Sequence, residues 1–174
     1  PGMTQVEAQQ IQGVLVNKDS AVNQIPIVYG TRRVGGSRIF ISTDGDSNKY
    51  LYVALVLSEG QVNGYTKLYI DGNEVPLSSY THGTVATPSS GDYTDRLQAQ
   101  FFDGRDSQAV SSVLQETPNW TAEHTLSGLA YIALRFEWKK VESQEDADNN
   151  PYKGLPQINV LLQGIKIFDA TGLG

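Results

Sequence analysis

Two histidines, His82 and His124, are the side chains best suited by type to proton transfer or metal ligation at neutral pH. Neither has partners at ligand spacing in the chain, so the sequence gives acid–base or metal chemistry no support. His82 falls in a Ser/Thr/Gly-rich stretch and reads as solvent-exposed. His124 reads as a structural residue whose buried hydrogen bond fixes the chain between Trp120 and Gly128. The run Asp44-Gly45-Asp46-Ser47-Asn48 offers consecutive oxygen ligands but lacks the glycine and terminal glutamate positions of a calcium loop, and reads as a turn rich in Asx side chains. Gly30, Gly35 and Gly36 frame a glycine-bearing segment with no Gly-Lys-Ser/Thr ending and no following helix to hold a phosphate. Their expected use is positive φ or close strand approach. There is no Gly-x-Ser-x-Gly elbow, and the carboxylate pairs Asp103/Asp106 and Glu145/Asp146 fall in turns or an acidic loop. The expectation is a protein that is not an enzyme and takes no cofactor or metal.

Two non-catalytic groupings remain. Arg32, Arg33 and Arg38 form the local cationic cluster of an acidic chain, and pair with a neighbouring subunit's carboxylates or else form a solvated hairpin face. Tyr80, Tyr93, Trp120 and Tyr152 fall in loops, where they could act as stacking platforms of a carbohydrate- or protein-binding module, the alternative functional reading.

The chain that must position these residues has 174 residues, room for one domain with loop insertions. A net charge of −6 without any basic tract disfavours specific nucleic-acid binding. No cysteine is present, which removes disulfides and thiolate zinc sites. No run approaches 18 apolar residues, and the N-terminus lacks the basic start and apolar core of a signal peptide, so no membrane partner is expected. Pro1-Gly2 ahead of Met3 reads as an expression-vector scar, residues 1–10 as a flexible lead-in, and residues 11–170 as a single β domain with loop insertions near 76–95 and 141–155.

Periodicity predicts the strands. Residues 11–17 read as a first strand, residues 25–30 as a strand start or edge because of Pro26, and residues 37–42 as a half-buried strand after a glycine-cornered hairpin. Residues 50–57 are the most continuously apolar and predict a central strand buried on both faces. Residues 62–70 extend the meander, with Val62, Leu68 and Ile70 in one parity set and Tyr65 and Tyr69 in the other. Residues 76–95 read as a long surface loop and 96–102 as a return to the sheet. One short helix is predicted from Asp106, through Ala109, Val110, Val113 and Leu114, ending before Pro118. Residues 128–138 are a long strand with Leu134, Phe136 and Trp138 on one face. Residues 142–150 are an acidic solvated or disordered loop, and 158–162 with 164–168 close the sheet. The fold class predicted is mainly β: an antiparallel β-barrel or sandwich with one short α-helix and long loop insertions.

Several of these segments, in order, resemble the hub region of siphophage tail-tip (tip attachment, or host specificity) proteins. They are Ile25-Pro26-Ile27-Val28-Tyr29-Gly30-Thr31-Arg32-Arg33-Val34-Gly35-Gly36; Lys49-Tyr50-Leu51-Tyr52-Val53-Ala54-Leu55-Val56-Leu57-Ser58-Glu59-Gly60; Leu68-Tyr69-Ile70-Asp71-Gly72; Trp120 to Ile132 with its His124 and Gly128; Leu155-Pro156-Gln157-Ile158; and Gly164-Ile165-Lys166-Ile167-Phe168-Asp169. The resemblance spans about residues 13–169. It implies a phage virion protein at the tail tip or baseplate hub, a scaffold partnered by other phage tail proteins. It also implies a homotrimer in the full-length parent, while the fragment itself could be monomeric. Such proteins continue past the closing hairpin into further domains and a receptor-facing fibre, so this chain reads as an excised piece without the receptor-binding parts.

Overall fold

The computed structural model describes residues 18–19, 24–138, 142–148 and 154–165. The predicted strand over 11–17, the lead-in, Tyr152 and the second half of the closing hairpin lie outside the described residues. Among the described residues, ten strands are arranged in two sheets that face each other as a sandwich and do not close into a barrel. They are β1 (Lys18–Asp19), β2 (Thr31–Val34), β3 (Ser37–Asp44), β4 (Tyr50–Glu59), β5 (Gly64–Ile70), β6 (Asn73–Val75), β7 (Val85–Ala86), β8 (Leu97–Asp103), β9 (Leu129–Glu137) and β10 (Ile158–Gln163). One sheet has the order β1-β3-β4-β9-β8-β7 and the other β2-β10-β5-β6. Every strand pair is antiparallel except β1 with β3.

The uninterrupted apolar run of β4 has a direct cause. Leu51, Val53, Leu55 and Leu57 point between the sheets, where they meet Phe101, Ile132, Leu134 and Phe136 of their own sheet and Leu68, Ile70, Val160 and Leu162 of the other. Tyr52, Ala54 and Val56 point the opposite way, where Leu114 and Trp120 from the connection between β8 and β9 cover them along with Phe102 and Tyr131. Both faces of β4 are thus buried, as the sequence predicts, and at about 1.5–3 kcal/mol per buried large aliphatic side chain this strand anchors the molecule. The face shared by Leu134 and Phe136, with Trp138 packed beside it, is likewise as expected.

The structure corrects several expectations. Gly35-Gly36 does not turn a hairpin: β2 and β3 belong to different sheets, and the corner carries the chain between layers. Gly36 is required there, because its φ is +70° and a Cβ would sit 2.7 Å from both Leu57 Cδ2 and the Val56 carbonyl oxygen. Nor does the meander run on from β4 to β5; β4 pairs with β9, and β5 with β10 and β6.

In β5 the register with β10 skips Thr66, a bulge that brings Tyr65 inside with Leu68 and Ile70 and leaves Tyr69 on the other face.

The helix predicted from Asp106 does not form; only a 3₁₀ turn, Leu114–Glu116, appears near its end. Side chains have taken its backbone partners. Gln108 accepts from Gly104 N–H (3.2 Å) and donates to the carbonyls of Leu126 (2.6 Å) and Leu129 (3.0 Å). Ser111 Oγ donates to Gln100 (2.7 Å) and accepts from Leu114 N–H (3.2 Å). Buried polar groups must be satisfied, and this network outweighs local helix propensity.

Among the described residues, the short α-helix lies instead at Gln144–Asp148 (α1), inside the acidic stretch read as a loop. The loop at 76–95 is likewise tied down. It contributes β7, and the Gly83 N–H donates to the Phe101 carbonyl at 2.8 Å.

Candidate functional site

The arginines come first. Arg32 and Arg33 sit on β2, an outer strand of the four-stranded sheet, and alternate between its faces. Arg33 stacks its guanidinium 3.9 Å from the centre of the Tyr69 ring and reaches Asn159 Oδ1 at 3.4 Å. Both line a groove of roughly 440 Å³ whose apolar wall includes Ile27, Val28 and Tyr29. Ile27 and Tyr29 are 51% and 50% exposed, which makes this an apolar patch edged by cationic side chains. The stretch that carries it is held by Ser58 Oγ, which accepts the Val28 N–H (3.1 Å), and by the Glu59 N–H, which donates to Pro26 (2.9 Å). Arg38 lies on β3 in the other sheet and does not line the groove. The structure therefore brings two of the three arginines together.

The residues read as structural divide by role. Trp120 is buried, with Phe40 edge-on at 5.0 Å and His124 at 4.9 Å, and Gly128 holds a φ of +81°. Gly30 holds a φ of +66° in open space, whereas Gly35 lies at the corner between the sheets. His124 is exposed, not buried: its Nδ1 accepts the Thr121 N–H at 3.0 Å, a bond that closes a local turn.

His82 departs from expectation in the opposite sense. It is half-buried against the Phe102 ring (5.5 Å), and its Nδ1 accepts the Asp103 N–H at 3.0 Å. Burial pushes the His82 pKa down, the Asp103 carboxylate opposes this, and Arg105 adds to the lowering. The ring is therefore neutral at pH 7 with its proton on Nε2, and the 3.0 Å approach of Nδ1 to Asp103 Oδ1 is not an ion pair. Asp103 is held instead by Arg105, whose Nε and Nη2 reach its two oxygens at 3.0 and 2.8 Å. Burial alone would raise the Asp103 pKa, but the hydrogen bonds from Arg105's side chain and backbone outweigh it and hold the carboxyl below its usual value.

These residues line a cleft of roughly 420 Å³ at the seam of the sandwich, with Asn63, Tyr80 and Gln163. Sequence reasoning missed the cluster because its members come from four separated segments. The one local signal was the Asp103-x-Arg105 spacing at a strand end.

The three described loop aromatics do not gather. Trp120 is in the core, Tyr80 packs on Phe101 (5.1 Å) and Tyr93 on Phe136 (6.4 Å). The Asx-rich turn is as expected: Asp44 Oδ1 accepts the Gly45 N–H at 2.7 Å, and Thr43 donates to Asn48 at 3.1 Å. Among the described residues no three His, Asp or Glu side chains group as a metal site would need, and no helix is long and apolar enough to cross a membrane.

No protein-family model and no curated protein matches the sequence. Among solved structures the fold is similar to a chain of the "Virion of native gene transfer agent (GTA) particle", at 19% sequence identity and a TM-score of 0.51. The match covers 84% of this chain and 28% of that one, so this chain spans under a third of the length of the protein it matches. At this identity the likeness is one of fold.

Proposed function

We propose that this chain is a structural component of a phage tail tip or baseplate hub, a scaffold that links the tail tube to the receptor-binding tip. The observation that carries the reading is the fold match to part of a much longer chain in a virion particle, which is how a building block of a larger assembly protein would match. Two further features support it. The segment order resembles that of tail-tip hub proteins, and the central strands β4, β8 and β9 of the six-stranded sheet are covered on both faces, a rigid block suited to bearing load.

In this reading the role is mechanical and not enzymatic, the location is the virion, and the partners are other tail proteins. The parent protein is a homotrimer whose contacts are supplied partly by domains beyond this one. The groove beside Arg32 and Arg33 is the subunit-facing surface, its cations meeting carboxylates of a neighbour.

The test is gold-labelled antibody raised against this chain and applied to intact particles of its phage. Labelling at the distal tail end is the expected result. Labelling confined to the capsid, or to no part of the particle, would overturn the proposal.

A further inference from the structure

The cleft at His82 has a composition that the scaffold role does not use. Its hydrogen-bonding groups are fixed in place and its net charge is near zero. Asp103 and Arg105 neutralise each other through the two-pronged contact at 3.0 and 2.8 Å, and His82 is uncharged because its Nδ1 takes the Asp103 N–H. Asn63 is anchored by its Nδ2, which donates to the Gly164 carbonyl at 2.9 Å, so its Oδ1 remains as an acceptor. What the walls offer is therefore a set of oriented but neutral donors and acceptors: the Nε2–H of His82, the second terminal nitrogen of Arg105, Asn63 Oδ1 and the Gln163 amide. One wall is apolar, the ring of Tyr80, which is seated on Phe101 at 5.1 Å and so held rigid.

We propose that this cleft binds a neutral polyhydroxylated ligand, a short saccharide, with Tyr80 as the face for the sugar ring and His82, Arg105, Asn63 and Gln163 as partners for its hydroxyls. Three considerations select this class. A polyanion would meet the Asp103 carboxylate without a surplus of cations to offset it, and a cation would meet Arg105. A purely apolar ligand would strip water from several polar groups and give nothing back. A volume of roughly 420 Å³ lies within the span of small-ligand pockets, about 300–1,000 Å³. The walls come from β5, β8, β10 and the 76–95 loop, so the site is built on the sandwich frame and needs no folding step on binding. This inference stands apart from the scaffold role and can fail without affecting it.

The experiment uses the whole ¹⁵N-labelled chain, titrated with maltotriose, cellotriose and chitotriose, and with trigalacturonate as the charged comparison, while backbone amide shifts are followed. The expected result is a saturable shift at residues 80–83 and 103–105 with at least one neutral trisaccharide, at a Kd of about 1 mM or below. The chitotriose arm separates an acetamido-sugar glycan from a plain hexose polymer. Arg105→Ala should weaken binding about tenfold, the worth of one good hydrogen bond to a charged donor. Should that variant fold poorly, Gln163→Ala on an exposed side chain should weaken it severalfold. No saturable shift from any neutral trisaccharide, shifts from trigalacturonate alone, or shifts that map to the groove beside Arg32 would each overturn the proposal.

Discussion

Two buried tyrosines pose a matched test of how the core is held. Tyr65 faces the space between the sheets, and its hydroxyl donates to the Phe102 carbonyl at 2.8 Å. Tyr131 faces the other core, stacked on Phe102 at 4.4 Å with the rings 2° from parallel, and its hydroxyl has no hydrogen-bond partner among the described residues. Both rings are excluded from solvent, and burial pushes both hydroxyl pKa values up. Replacement by phenylalanine keeps ring volume and stacking in each case, so the hydroxyl alone is at issue. Tyr65→Phe loses a buried hydrogen bond and should destabilise by about 1–2 kcal/mol. Tyr131→Phe removes a group that gives up water on folding and gains nothing, so it should be neutral or stabilise by about 1 kcal/mol. For a chain of this size each kcal/mol moves Tm by roughly 2–4 °C, so a difference of about 1–3 kcal/mol places the two variants about 2–12 °C apart. Calorimetric melting and urea midpoints read the difference. If Tyr131→Phe lost as much stability as Tyr65→Phe, the reasoning from hydrogen-bond satisfaction would fail.

Gly164→Ala should destabilise by about 2–3 kcal/mol, because the new Cβ would lie 2.2 Å from the Val28 carbonyl oxygen, a backbone atom that cannot swing aside; urea unfolding checks this. Gly30→Ala, at a φ of +66° in open space, should cost only about 1 kcal/mol in the same assay. Because the folded His82 pKa is depressed, the unfolded chain takes up the proton first. Stability is therefore full above an unfolded pKa of about 6.5 and is lost as pH falls below it. Tm measured from about pH 7.5 to 5 should fall, and His82→Gln should flatten that slope; an unchanged slope would contradict the assignment. In the full-length parent, Arg32→Glu with Arg33→Glu should weaken self-association or attachment to neighbours in sedimentation while moving the melting of this chain by less than about 1 kcal/mol, since surface charges contribute little to stability.

What the sequence reveals depends on the range of the interaction involved. The alternation within residues 128–138 and the apolar run of β4 are local patterns, and they identify buried faces correctly. Period two says which side chains share a face and nothing about which strand lies alongside, so the assignment of β2 and β3 to different sheets had no local signature beyond two glycines. The Thr66 bulge inverts the parity of Tyr65 because the pairing with Leu162 fixes it from a distance. The residues around Asp106 carry helical spacing, yet Gln100, which belongs to β8, accepts the hydroxyl hydrogen bond of Ser111, so the deciding contacts again lie elsewhere in the chain. The same holds for the site. Arg32 and Arg33 are adjacent in sequence and visible as a pair, whereas His82 and Asp103 meet only because the 76–95 loop bonds to Phe101.

The first and last described stretches of the main body lie side by side: Tyr29 and Ile165 form a parallel bridge, flanked by bonds of 2.8 Å from Gly164 N–H to the Gly30 carbonyl and from Ile165 N–H to the Val28 carbonyl. These two bonds tie the stretch that enters β2 to the stretch that leaves β10, so the open end of that antiparallel strand pair is held closed by backbone contacts. The position that makes this clamp possible is Gly164, where any side chain would wedge the two stretches apart.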